Sequence, residues 1–202
     1  MSSCPASFPC QLVLPNPYCP SLGYSAPLSA NSTALLSAPA PLTSLPESMT
    51  QLLTSSLEAF TTSLSSKACG RDYYSHTSSC LDCHTAYRDW ICRMIIPRCI
   101  DPQPTDILDQ EPSIIPPRTI SRQGNGYEYD YEELLPCLGV CNRVDRTCPA
   151  WLGFGCPYRG INANETYGFF GQEDGRGDGA VDPGGGGIRS SDIWGNRWCN
   201  GP

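Results

Sequence analysis

Residues 83–99 read CHTAYRDWICRMIIPRC and residues 136–149 read PCLGVCNRVDRTCP. Inside these two blocks, successive cysteines are separated by eight, six, three and six residues. The first block predicts a helix over about 79–94: Cys83, Tyr87, Trp90, Ile91 and Met94 recur on one face, with Arg88 and Asp89 on the other. Cys92 falls off that stripe, so it can bridge to a different layer from the one Cys83 reaches. Pro97 stops the helix. The second block predicts a helix from Leu134 or Pro136 to Thr147, with Leu134, Cys137, Cys141, Val144 and Cys148 on one stripe. That cysteine-bearing face makes it the point where the fold is stapled.

Working outward, Ser44 and Glu47 have capping-box spacing and Pro46 suits a first helical turn. Met49, Leu52, Leu53, Leu57, Phe60 and Leu64 then follow a helical stripe that Lys67 and Gly70 close. Residues 1–43 are rich in Pro, Ser and Ala and carry Cys4, Cys10 and Cys19 without a helical period, which reads as an extended arm pinned by bridges. Residues 100–130 are acidic and Pro-rich and read as a surface insertion. Residues 171–190 are Gly-rich and too polar to bury a core, which predicts a mobile loop before Trp194, Trp198 and Cys199 tie the chain back. The expectation is one cysteine-rich domain over 10–202, preceded by a tail over 1–9, with no internal repeat.

Thirteen cysteines in 202 residues are too many for a reduced cytosolic protein and imply an oxidising compartment. The count is odd, and Cys4 is the candidate left unpaired. A net charge of −7 argues against binding a phosphate backbone, so nucleic acid is not an expected partner. No window approaches the ~20 apolar residues of a membrane span, and MSSCPASFPC has neither the basic nor the apolar part of a signal peptide. The resolution of that conflict is an expectation that Met1 begins a fragment whose export segment lies upstream.

Several motifs carry residue types that could form sites. Cys80 and Cys83 with His84 have the spacing of half a zinc or redox site, but no second CxxC or HxxxH exists and His76 is the only other histidine. Structural disulfides are the better reading, with both histidines at the surface and no metal or cofactor. No GxSxG, HExxH or Walker pattern occurs, and a catalytic thiolate would need to stay reduced beside a base, so an enzyme is not expected. Asp174–Gly179 (DGRGDG) resembles the opening of a calcium loop, yet Arg176 stands at the third ligand position and Gly185 at the twelfth, which leaves a solvated linker. The embedded triplet Arg176, Gly177, Asp178 is a chance match in a Gly-rich loop. The run YEYDYEE, Tyr127 to Glu133, reads as a solvated approach to the third helix with one or two buried tyrosines. Sequons at Asn31 (NST) and Asn164 (NET) are glycosylation candidates consistent with export.

The joint spacing of the two cysteine blocks resembles the Frizzled-type cysteine-rich domain, as does CQLVLPNPYCPSLGYSAP from Cys10. The combination of ACGRDYYS, CLDCHTAYRDWICRMIIPRC and ELLPCLGVCNRVDRTCPAWLGFGCP is more closely similar to the extracellular region of fungal stretch-activated calcium-channel regulatory subunits, those needed for survival of mating pheromone. The resemblance covers about Cys10 to Cys199. It implies a small, mostly helical, disulfide-rich domain with long irregular loops, outside the plasma membrane and bound to the pore-forming α subunit of a voltage-gated-type calcium channel. Membrane association would run through that partner or a segment absent here.

Spacing alone does not fix connectivity. If the Frizzled-type order carries over, the resemblance implies Cys10 with Cys99, Cys19 with Cys92, Cys83 with Cys148, Cys137 with Cys199 and Cys141 with Cys156, leaving Cys69 to Cys80. Cys156 follows Cys148 more closely than the Frizzled pattern, and the Gly-rich stretch delays Cys199. A Pro- and Gly-rich chain with sparse apolar runs needs such bonds, because core burial alone does not offset its ordering entropy. Two functions follow as expectations: an auxiliary channel subunit or, as the alternative, a receptor-like module that binds a lipid or lipidated ligand in an apolar groove.

Overall fold

The computed structural model describes residues 10–27, 45–69, 76–99, 119–122, 131–158, 161–163, 166–168 and 199–201. Cys4, Asn31, Ser44, Asn164, Trp194, Trp198, the 171–190 loop with its Asp174–Gly179 motif, and Tyr127 to Asp130 lie outside the described residues.

Strands β1 (Cys10–Val13) and β2 (Tyr24–Pro27) pair antiparallel, with Cys10 opposite Pro27 and Val13 opposite Tyr24. The segment expected to be an extended arm pinned by bridges is pinned at Cys10 and Cys19, but its described part closes into a hairpin. Asn16 helps turn it: its Oδ1 accepts from the Tyr18 and Cys19 amides, the Asx-type bond that makes Asn a turn former.

Helix α1 spans Glu47–Ser65, and its cap position is Pro46, with no side-chain cap bond. The expected Ser44–Glu47 box is thus replaced. A residue before proline is disfavoured in the helical region, which moves the start past Leu45. Glu47 opens the helix and its carboxylate accepts from the Gln51 side-chain Nε2 at 3.1 Å. Leu53, Phe60 and Leu64 are buried, but Leu52 is 53% exposed. At ~100° per residue Leu52 sits well round the helix from Leu53, outside the buried stripe expected to include it.

Helix α2 (Cys80–Ile95) begins at a full capping box: Ser79 Oγ accepts from the Asp82 amide, and Asp82 Oδ2 accepts from the Ser79 amide at 2.8 Å. Cys83 and Cys92 are nine residues apart, about two and a half turns, so they leave α2 on opposite faces. On one face Cys92 and Ile96 pack with Val13, Cys19, Leu22, Tyr24, Ala26 and Leu53. On the other, Cys83 and Ala86 pack with Phe60, Leu64, Val144 and Cys148. Helix α2 is consequently the middle layer, and α1 crosses it to reach both apolar clusters.

After α2 the chain forms β3 (Arg98–Cys99), β4 (Thr119–Arg122) and β5 (Tyr131–Leu134), a sheet ordered β3-β5-β4 with both pairings antiparallel. Two expectations change here. The insertion expected over 100–130 contributes β4, and Leu134 belongs to a strand rather than to the third helix. Pro136, with Leu135 buried before it, lies between that strand and the helix and bars the helix from extending back. The helix α3 runs Leu138–Thr147 with Cys137 as its cap. Tyr131 and Glu133 are buried, so the acidic–aromatic run ends in the sheet and not in a solvated helix approach. A 3-10 turn, Ala150–Leu152, follows α3 and ends at Gly153, whose φ of 69° suits glycine.

The structure joins Cys10 to Cys99, Cys19 to Cys92, Cys69 to Cys80, Cys83 to Cys148, Cys137 to Cys199 and Cys141 to Cys156. These coincide with the pairs that the resemblance implies. With three helices, short strands and six disulfides among the described residues, the protein is small, disulfide-rich and mostly helical.

Candidate interaction surface

The middle helix and the segment after α3 build an aromatic cluster. Phe60 stacks on Tyr87 at 3.6 Å, and Phe154 meets Trp90 edge-on at 5.1 Å and Tyr87 at 6.3 Å. Trp90 Nε1 donates to the Tyr167 hydroxyl at 2.8 Å, satisfying the one polar atom of its indole. Burial pushes the Tyr87 phenol up, and burial likewise raises Tyr167 against the lowering effect of the Trp90 bond. Both stay neutral in this setting and serve as packing groups.

Residues 148–154 are laid over this cluster. Cys148 is bonded to α2 and Cys156 to α3, while Leu152 and Phe154 pack inward. The carbonyl of Tyr158 accepts from the Ile161, Asn162 and Ala163 amides, and Asn162 Oδ1 accepts from the Tyr158 amide at 2.7 Å. A segment so tied still presents Trp151, Tyr158 and Ile161 at 38%, 71% and 81% exposure. From 146 to 163 it contains Arg146 and Arg159 and no Asp or Glu, in a chain of net charge −7. An apolar rim tethered by two disulfides and a hydrogen-bonded turn has less ordering entropy to lose on binding, which is what a docking surface needs. The sequence reading passed over these three side chains; the signal was the acid-free run WLGFGCPYRGI between and beyond two cysteines.

A second cluster, on the opposite face of α2, is polar and closed. Tyr24 donates its hydroxyl proton to the Ile96 carbonyl at 2.7 Å and carries the Arg98 guanidinium 5.5 Å from its ring centroid. Arg93, Glu133 and Asn200 are buried beside it, and Arg93 Nη1 donates to Asn200 Oδ1 at 3.2 Å. Burial pushes the Tyr24 phenol up to about 12, against smaller lowering effects of Asn200, Arg93 and Arg98. With Tyr24, Arg93, Glu133 and Asn200 enclosed and only Arg98 half-buried at its edge, this is a structural network rather than a site open to ligand.

The other sequence candidates are placed as follows. Cys80 and Cys83 each hold a different partner, so the half-site spacing is spent on two disulfides. His76 is exposed and His84 half-buried. Burial, with the nearby Arg88 charge, pushes the His84 imidazole below its ordinary value. Among the described residues no group of three or more His, Cys, Asp or Glu is set to hold a metal ion. Among them, too, no helix is long and apolar enough to cross a membrane.

Residues 3–180 match the family described as Mid1, stretch-activated Ca2+-permeable channel component. The chain is 45% identical over 222 residues to Stretch-activated cation channel MID1 of Cryptococcus neoformans, an alignment covering 98% of this chain and 35% of that protein. It is 31% identical over 163 residues to Stretch-activated cation channel yam8 of Schizosaccharomyces pombe, covering 79% of this chain and 32% of the relative. With the Saccharomyces cerevisiae protein of the name MID1 the identity is 34% over 84 residues, covering 42% and 15% respectively. The chain thus spans about a third or less of the length of the curated relatives it matches. No solved structure matches it. The matching family is one of channel components, not of enzymes, and with 3–180 inside its bounds the chain belongs to the Mid1 family of stretch-activated Ca2+-permeable channel components.

Proposed function

We propose that the chain is the extracellular cysteine-rich part of a regulatory subunit of a plasma-membrane calcium channel, and that it supports calcium influx by binding the pore-forming α subunit. The observation that carries this reading is the family match joined to a disulfide-locked module that holds Trp151, Tyr158 and Ile161 out on a tethered segment. Six disulfides favour the extracellular side, where such bonds persist. Asn31 and Asn164 would then be glycosylated in the secretory pathway. The likeness to Frizzled-type domains belongs to this proposal as a statement of kinship in fold. Against the lipid-binding alternative stands the use made of the helix stripes: Leu53, Phe60, Leu64, Ala86 and Val144 are buried against one another.

The test is complementation. The tagged full open reading frame is expressed in fungal cells lacking their own subunit, with Trp151→Ala, Tyr158→Ala, Ile161→Ser as a triple variant. The expected result is co-purification with the channel α subunit and restored calcium uptake for the wild type, with both reduced at least tenfold in the variant at equal export. An exported wild-type protein that neither co-purifies nor restores uptake would overturn the reading.

A further inference from the structure

Five of the six disulfides have at least one buried cysteine: Cys99, Cys19 with Cys92, Cys83 with Cys148, Cys137 with Cys199, and Cys141. The Cys69–Cys80 bond has none, since Cys69 is exposed and Cys80 half-buried. Its sequence separation, 11, is also the shortest of the set, against 15 to 89 for the others. In the chain-entropy account it therefore restrains the unfolded chain least, so opening it removes least from the stability of the whole.

Its place in the fold gives it a particular role. Of the three helices, α1 alone contains no cysteine and has none at its cap positions. Cys69, a few residues beyond its end, is the nearest covalent tie between α1 and the stapled body. Among the described residues, the contacts that hold α1 are otherwise side-chain packing, of Met49 and Leu53 in one cluster and of Phe60 and Leu64 in the other, with Phe60 stacked on Tyr87.

We propose that Cys69–Cys80 is a thiol-exchange site for small-molecule thiols of the glutathione class, and that its opening releases α1 to local unfolding while α2 and α3 stay stapled. A thiolate attacks the exposed Cys69 sulfur and forms a new S–S bond with it, and Cys80 departs with the electron pair of the old bond. Cys80 is the first residue of α2, where the free amides of a helix start favour a leaving thiolate. A second thiol attacks the mixed disulfide, giving the small-molecule disulfide and Cys69 as thiolate. Two thiols are oxidised, one protein disulfide is reduced, and the two protons they release end on the two protein thiolates.

The experiment uses the oxidised, folded chain in a series of reduced-glutathione concentrations, trapped with N-ethylmaleimide and read by peptide mass spectrometry, with amide exchange measured in parallel. The expected result is labelling of Cys69 and Cys80 at concentrations at least tenfold below those that label any other bonded cysteine. Amide exchange over 47–65 should rise at least tenfold while α2 and α3 keep their protection. The double variant Cys69→Ser, Cys80→Ser should fold and show, without thiol, the α1 exchange of the thiol-treated wild type. Opening of another bond first, simultaneous opening of several, unchanged α1 protection, or a double variant that does not fold would each overturn the proposal.

Discussion

Tyr24 shows how a single buried phenol couples this fold to pH. The unfolded phenol ionises near its ordinary value of 10.0, whereas the folded one holds its proton to about 12. The contribution is fully present below pH 10 and is lost as pH rises from there, by about 2 to 3 kcal/mol at pH 12. Tyr24→Phe should flatten that alkaline loss, leaving the smaller slopes of Tyr87 and Tyr167. At neutral pH it should cost about 1 kcal/mol, for the lost bond to the Ile96 carbonyl. Denaturant melts between pH 8 and pH 11, done quickly enough to outrun disulfide exchange, check both. His84 has the opposite sign: its folded imidazole takes up a proton less readily than the unfolded one, so its stabilisation holds above the ordinary value of 6.5 and declines as pH falls through it. An NMR titration should find the His84 midpoint below that of a peptide, and a midpoint at or above the peptide value would remove the effect. Ser79→Ala should cost about 1 kcal/mol of thermal stability, because it removes the acceptor for the Asp82 amide.

Helix α1 supplies a matched pair at the next scale. Leu53→Ala, at a side chain with no exposure, should cost about 2–5 kcal/mol, while Leu52→Ala, one position away and 53% exposed, should stay within about 0.5 kcal/mol. Equal effects in denaturant titrations would mean that the packing of α1 is not as described. The same pair marks how far the sequence could be read. Helical periodicity found all three helices, because repeated apolar side chains at 3.6-residue spacing are a property of local chemistry. It overcounted the α1 stripe by Leu52, since a run of two leucines places only one of them on the line to the core. The strands were not legible: β3 is two residues long, and β4 gains its identity only from the partner it finds in β5. Pairing over such distances leaves no mark in a short window. The capping box of α2 stood in the sequence at Ser79 and Asp82, whereas that of α1 was written but overruled by Pro46. The exposed rim at Trp151, Tyr158 and Ile161 was hidden for another reason. Apolar side chains that face solvent carry the same letters as those that face a core.

On the scale of the whole molecule, stability rests on cross-links that span long stretches of chain. Cys83–Cys148 closes a separation of 65 residues, and its restriction of the unfolded chain is worth about 4 kcal/mol at 25 °C, against about 3 for Cys69–Cys80. A Cys83→Ser, Cys148→Ser variant should therefore unfold or melt far below the wild type, which circular dichroism would show; an unshifted melt would mean the apolar clusters suffice without it. A further seam is at residues 199–200. The Asn200 amide donates to the Leu135 carbonyl, the Cys137 amide donates to the Asn200 carbonyl, and Cys199 is bonded to Cys137. Parallel bridges place Asn200 beside Pro136 and Gly168 beside Cys137. Such a seam has a consequence for biosynthesis. Until residues 199 and 200 have been synthesised, Cys137 lacks its disulfide partner and the Arg93 guanidinium lacks its Asn200 acceptor, so this stitch is made after the other five pairs have both of their cysteines. A chain cut between residues 156 and 199 would therefore hold both members of the other five pairs and carry Cys137 as an unspent thiol, which makes that thiol a reporter of incomplete synthesis.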